Sequence, residues 1–308
     1  MGQRGLFFFG GIVLTILLQM VSSALGAGGV LLTLLVPFPA AYVHMRFGTL
    51  LGGGIVAAST VLLAVSGEMA GSLGYLLQFG LASFLLPFFL RRLWPWDRAV
   101  AMTTLSIVVL AAVTLGFYGG SKGVSITQIA ADYVQKEVDQ ALQIYQQSEV
   151  SPQQAAELEQ VLRSLADFLL QAYPALAITV TWGILLLMVY LLSRFSRGRY
   201  AVPGPRFHLW KAPPFLVWIL IGGGFGKVLF DGFVDVVSLN LLAVVLPIYF
   251  LHGLAIVSYF FIRKNISAGF RIMGYVLIFF LNPLPVVVTG FGIFDLWADF
   301  RKPKIKET

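Results

Sequence analysis

The chain has 308 residues, of which 58% are hydrophobic and 11% charged, and its mean hydropathy is +0.86. Soluble domains carry about 25% charged residues, so a compact soluble fold could not bury this much apolar surface and stay dispersed, which excludes a soluble enzyme and a disordered tail. With no cysteine, disulfide scaffolds, thiol catalysis, zinc-thiolate sites and iron–sulfur clusters are excluded as well.

The composition fits an all-α integral membrane protein, in which each span needs roughly 20 apolar residues. Apolar stretches fall at about 5–22, 28–45, 49–66, 72–90 and 99–118, and after a polar insertion at about 168–192, 213–231, 238–262 and 272–294. None shows the period-two alternation of a membrane strand, so eight or nine transmembrane helices are expected. Trp94, Trp96, Tyr200, Trp210 and Trp297 stand at segment ends, where amphipathic rings favour the membrane interface. Ala24-Leu25-Gly26 loosely resembles a signal-peptide cleavage site, but the apolar pattern resumes at once and the first segment reads as a span.

The net charge of +7 does not mark a nucleic-acid surface. Seventeen of the 21 Lys and Arg lie in short segments between or beside the apolar stretches, at 4, 46, 91–98, 194–211, 263–271 and 301–306. That is the positive-inside pattern, not a basic face with interleaved aromatics. The implied partner is the lipid bilayer, with no nucleic acid. Running the charges through the spans puts the N-terminus in the cytoplasm. Ten of the 14 acids then fall outside: Glu68, seven between Asp132 and Asp167, Asp231 and Asp235. A full ninth span would carry Arg301, Lys302, Lys304 and Lys306 outside, against the rule. Asn282-Pro283-Leu284-Pro285 removes backbone donors there, so the last segment is expected to be broken or re-entrant with a cytoplasmic C-terminus; a plain ninth span is the alternative.

Three parts follow: a membrane bundle of five spans over 1–118, an extracytoplasmic insertion over 119–167, and a second bundle over 168–308 with three spans and the Pro-broken segment. The insertion carries seven acids against Lys122, Lys136 and Arg163. Ile126, Ile129, Tyr133, Val134, Val138, Leu142 and Tyr145 recur at helical spacing, and Ser151-Pro152-Gln153-Gln154 reads as the cap of a second helix with Leu158, Val161, Leu162 and Leu165 as its stripe. An amphipathic helical hairpin results, either a self-satisfied connector or a docking surface for a partner or a second copy.

Candidate chemistry is sparse. Gly222-Gly223-Gly224-Phe225-Gly226-Lys227 imitates a phosphate loop, but Ile221 replaces its first glycine and Val228 its Ser or Thr, so close helix approach is the better account. His44, His208 and His252 have no partner at metal spacing, and no nucleophilic triad can be placed, so neither catalysis nor a metal or cofactor is expected. Polar groups inside spans are functional candidates by default. Lys227 and Asp231, four apart on one helix face, are positioned to pair. Asp235 and Asn240 follow at the mouth of the eighth span, and His252 lies near its middle, as a helix–helix hydrogen bond or a proton relay. Asn282 can satisfy an interhelical hydrogen bond without a ligand. Asp295, Asp299 and Arg301 around Trp297 read as an interfacial anchor.

Val36-Pro37-Phe38-Pro39, the turn at Arg46-Phe47-Gly48, the run Gly52-Gly53-Gly54, a span ending at Arg91-Arg92 and the closing Gly292-Ile293-Phe294-Asp295-Leu296-Trp297-Ala298-Asp299-Phe300-Arg301 follow one another in a recognisable order. In this the chain resembles the YybS-like family of uncharacterised bacterial multi-pass membrane proteins, which implies the bacterial cytoplasmic (inner) membrane. The N-terminal half is also similar to the S components of energy-coupling-factor transporters, which capture vitamins or metals from outside and work with a membrane coupling subunit and cytoplasmic ATPases. Neither likeness carries over a binding residue. The expectation is a transport-related protein that binds a small molecule or ion among its helices without its own ATPase. The alternative is an assembly or regulatory scaffold, possible also as a homo-oligomer, using the external hairpin and the cytoplasmic basic loops; the basic 194–211 segment could equally rest on anionic lipid headgroups.

Overall fold

The computed structural model describes residues 2–66, 69–146 and 152–302, and within these the side chains of 27, 69–70, 144–146 and 152–156 are not described. Glu68, Glu149, Ser151, Lys304 and Lys306, and the side chains of Tyr145, Gln153 and Gln154, therefore lie outside the described residues. Among the described residues there are eleven helices: α1 (Gln3–Ala24), α2 (Val30–Phe47), α3 (Thr49–Val65), α4 (Gly71–Arg91), α5 (Trp96–Lys122), α6 (Ile126–Gln146), α7 (Pro152–Phe195), α8 (Leu216–Leu229), α9 (Phe233–Arg263), α10 (Ala268–Phe280) and α11 (Leu284–Ala298). Six of them, α1, α2, α4, α5, α7 and α9, are long and apolar enough to cross a membrane. The pair α10 and α11, bent by 101° where Pro283 and Pro285 interrupt the backbone donors, adds a seventh if counted as one span.

Two of the nine apolar stretches form shorter helices. α3 has 17 residues and α8 has 14, about 25 and 21 Å long against a hydrocarbon core of about 30 Å. The chain itself sets these lengths. Gly48, at φ +106°, turns it immediately before α3, while Pro213-Pro214 delays the start of α8 and Gly232, at φ +67°, turns it after α8.

The chain packs as two compact units, Met1–Ile126 with Val180–Gly204 and Thr127–Thr179 with Pro205–Thr308, so the division falls inside α7. In the N-terminal unit α1, α2 and α3 pack through Ile12, Ala40, Val43, Ile55 and Val56, which form one of its core clusters. Gly52 lets α3 lie against His44, where an added Cβ would strike the imidazole. Trp96, at the segment end, is buried against the protein. The turn before α5 tucks it beneath Pro203 and Gly204, with its backbone N–H donating to Pro203 O at 2.9 Å.

In the C-terminal unit α9 packs against α8 and α11. Gly226 of α8 faces Ser238, and Gly253 of α9 meets Gly292 and Val288 of α11 backbone to backbone. Two helices here carry internal prolines, and each repairs the other. The Asn240 amide accepts from Ala175 N–H at 3.0 Å and donates to Gln171 C=O at 2.7 Å, the donor and acceptor one helical step apart beside Pro174. In return Thr179 Oγ1 donates to Ala243 C=O at 3.2 Å, the carbonyl that Pro247 leaves without a helical donor. On α6 the stripe is turned inward, with Val138 buried and Ile126, Ile129, Val134 and Leu142 half-buried, while Tyr133 is exposed.

Candidate functional site

Among the described residues, the strongest concentration of buried charge lies in the C-terminal unit, where α9 and α11 cross. His252 projects from α9 and Asp295 from α11. Past the end of α11 the chain turns back through Asp299, at φ +40°, which returns Arg301 over both. Exposures of 4% for His252, 2% for Asp295 and 8% for Arg301 put all three inside. Arg301 Nη2 donates to Asp295 Oδ2 at 2.7 Å and lies 2.8 Å from His252 Nε2, which is 3.1 Å from the same carboxylate oxygen. Asp295 Oδ1 accepts from Phe300 N–H at 2.8 Å. Arg301 Nη1 donates to Trp210 C=O at 2.9 Å and His208 C=O at 3.2 Å, and Tyr259 Oη donates to the Arg301 carbonyl at 3.3 Å.

Nε2 lies between a guanidinium that only donates and a carboxylate oxygen that only accepts. The other ring nitrogen, Nδ1, has no hydrogen-bond partner among the described residues, nor has Arg301 Nε. A buried polar atom without a partner is costly, and these two leave the cluster with capacity for a further polar group or water. Around it, the buried Trp210 ring stands edge-on to His252 at 6.1 Å. The His208 imidazole is held below its ordinary pKa by burial and by Arg206 and Arg301, so it is neutral at pH 7. Outside the cluster Lys211 pairs with Asp299 at 2.9 Å, and that hydrogen bond holds the Asp299 carboxyl below the usual range.

Of the candidates read from the sequence, only His252 joins this site. Lys227 pairs with Asp235 at 2.6 Å, not with Asp231, because α8 ends at Leu229 and takes Asp231 off the helical register that an i,i+4 pair requires. Asn240 is occupied by the Pro174 step, and Asn282 is exposed in the bend between α10 and α11. The interfacial anchor is corrected: Asp295 and Arg301 are buried partners of His252, while Asp299 and Trp297 stay at the surface side of the turn. The available signal was Asp295 as a lone acid inside the apolar run of α11. Arg301, six residues on, fits no helical spacing, since it reaches Asp295 only through the left-handed turn at Asp299. Among the described residues no three His, Cys, Asp or Glu side chains are grouped to hold a metal.

The family model described as a predicted membrane protein (DUF2232) matches residues 13–296, which takes in every helix from α2 to α10 and His252 and Asp295 of the cluster. The chain belongs to this family. It is a multi-pass membrane protein. No curated protein and no solved structure matches it.

Proposed function

We propose that this chain is a transport-related protein of the bacterial cytoplasmic membrane, non-enzymatic, that binds a small molecule or ion among its helices. One observation carries the reading: a carboxylate, a guanidinium and an imidazole buried together where α9 meets α11, with a ring nitrogen left unpartnered. Ionisable groups inside a membrane bundle are expensive and by default mark substrate, ion or proton paths. The likeness of the N-terminal half to S components supports the reading. The chain has no nucleotide motif, so ATP drive would come through a separate coupling subunit and ATPases.

The topology that goes with it has eight crossings, α3 and α8 included, with the N-terminus in the cytoplasm, α6 and the start of α7 as an extracytoplasmic hairpin, and α10–α11 re-entrant. One contact favours the re-entrant pair: the Arg301 carbonyl, past α11, is held by Tyr259, one turn from the end of α9 after which α10 begins. A C-terminal reporter active only outside the membrane stays silent on this topology; activity there would contradict it.

The functional reading is tested by mass spectrometry of the protein purified gently in nanodiscs. A stoichiometric small molecule, or coupling and ATPase subunits, is the expected result. A preparation free of ligand but carrying a stable envelope-protein partner overturns it in favour of the scaffold alternative.

A further inference from the structure

Two cavities of the N-terminal unit share Phe38 and Tyr42. One, of about 360 Å³, is an apolar groove between α1 and α2, walled by Phe7, Leu14 and Val43 and opened by Gly10, which puts no side chain into it. The other, of about 290 Å³, is lined by Phe195, Arg197 and Arg199. Charge collects where they join. Arg46 and Arg199 each bring Nη1 to 3.4 Å of the Tyr42 hydroxyl, and the Arg46 guanidinium lies 4.3 Å from the centre of the Phe7 ring that forms the groove wall. Among the described residues no carboxylate pairs with Arg46, Arg197 or Arg199; the ion pairs found are made by other residues.

The backbone is shaped to hold this arrangement. Arg197 and Gly198 turn the chain in the left-handed region, at φ +45° and +75°, a conformation that a long side chain rarely adopts. Tyr200 then pins the turn, its hydroxyl donating to Leu192 C=O at 3.0 Å and its ring standing edge-on to Tyr42 at 6.2 Å. Strain of this kind, next to three cations without counter-charge, is kept where something else offsets it.

We propose that the groove holds one anionic phospholipid, an acyl chain lying between α1 and α2 and the phosphate seated among Arg46, Arg197 and Arg199. Planar guanidinium forks match phosphate oxygens, and the aromatic walls suit the glycerol level of a lipid. From Leu6 to Leu14 the groove follows α1 for about 12 Å, so it is long enough for the upper part of a chain. Free phosphate would use the arginines alone and leave the apolar groove idle, which separates the two sources of the same headgroup chemistry.

The test is native mass spectrometry of the full-length protein in detergent with phosphatidylglycerol, phosphatidylcholine or inorganic phosphate. Phosphatidylglycerol is expected to be retained about tenfold more than phosphatidylcholine, with inorganic phosphate unable to displace it. Arg46→Gln with Arg199→Gln should bring the two lipids level. Gly10→Leu fills the groove, and a Cβ there meets nothing within 4 Å, so it should abolish retention without moving the thermal unfolding midpoint. Equal retention of both lipids by the unaltered protein, full retention by Gly10→Leu, or displacement by phosphate would each overturn the proposal.

Discussion

In the N-terminal unit Arg46 and Arg92 rest on the faces of Phe7 and Phe88, and Arg91 spends its donors on the last carbonyls of α2, Met45 O at 2.9 Å and His44 O at 3.4 Å. In the C-terminal unit Arg301 goes inside with a carboxylate. The first arrangement keeps each cation at a rim, where stacking on a ring and capping a helix end add stability at little desolvation cost. The second takes two charges and an imidazole out of solvent together, and an ion pair that deep is often no more stabilising than apolar residues of the same volume. Stability alone is therefore a poor reason for it, which is why the functional reading rests on the C-terminal cluster and not on the larger number of arginines in the other unit.

The comparison breaks most sharply at Asp295. Asp295→Ala leaves the Arg301 guanidinium buried and uncompensated, and should cost about 3–5 kcal/mol in thermal unfolding of the protein in nanodiscs, while Asp295→Ala with Arg301→Met should recover most of the loss. A single variant as stable as the parent would mean the charge is not isolated from water. Next comes the proline repair. Asn240→Leu removes the amide from the Ala175 and Gln171 backbone groups and should cost about 1–3 kcal/mol, and the loss should shrink in a Pro174→Ala background, where the helix supplies its own donor.

In the N-terminal unit Arg91→Met gives up rim hydrogen bonds only, so a loss of about 1 kcal/mol is expected, well short of the Asp295 effect. Equal losses at the two sites would erase the distinction between rim and interior. The smallest effect belongs to Lys211 and Asp299. The folded carboxyl titrates below its ordinary value of 3.8, so the pair contributes fully above that value and fades as the pH falls through the lowered one. Carbon-13 titration of Asp299 in Lys211→Met should return it towards 3.8; an unmoved titration would mean that Lys211 does not set it.

The helical membrane class was legible because apolar run length is a property of the sequence alone. Likewise the turn at Gly48 and the bend at Pro283 and Pro285 stand in the sequence as residues with special backbones. What could not be read were contacts between elements. Lys227 and Asp231 satisfy an i,i+4 rule only if the helix continues, and α8 stops two residues short of Asp231. Asn240 looked like a free polar group because two of its partners, Ala175 and Gln171, lie 65 and 69 residues away on another proline-broken helix. Arg301 looked like an anchor because nothing local announces the left-handed Asp299 that swings it inward.

The most direct test of the central claim is to compare the bound small-molecule content of His252→Gln with that of the unaltered protein in identical nanodisc preparations. Gln can accept from Arg301, so the variant keeps the latch but loses the ring nitrogen that has no protein partner. An unfolding midpoint close to the parent is expected, with ligand content reduced about tenfold or more, the loss of one charge-assisted or buried hydrogen bond. Undiminished ligand in a folded His252→Gln protein would contradict it, and the cluster would then be a structural latch between α9 and α11.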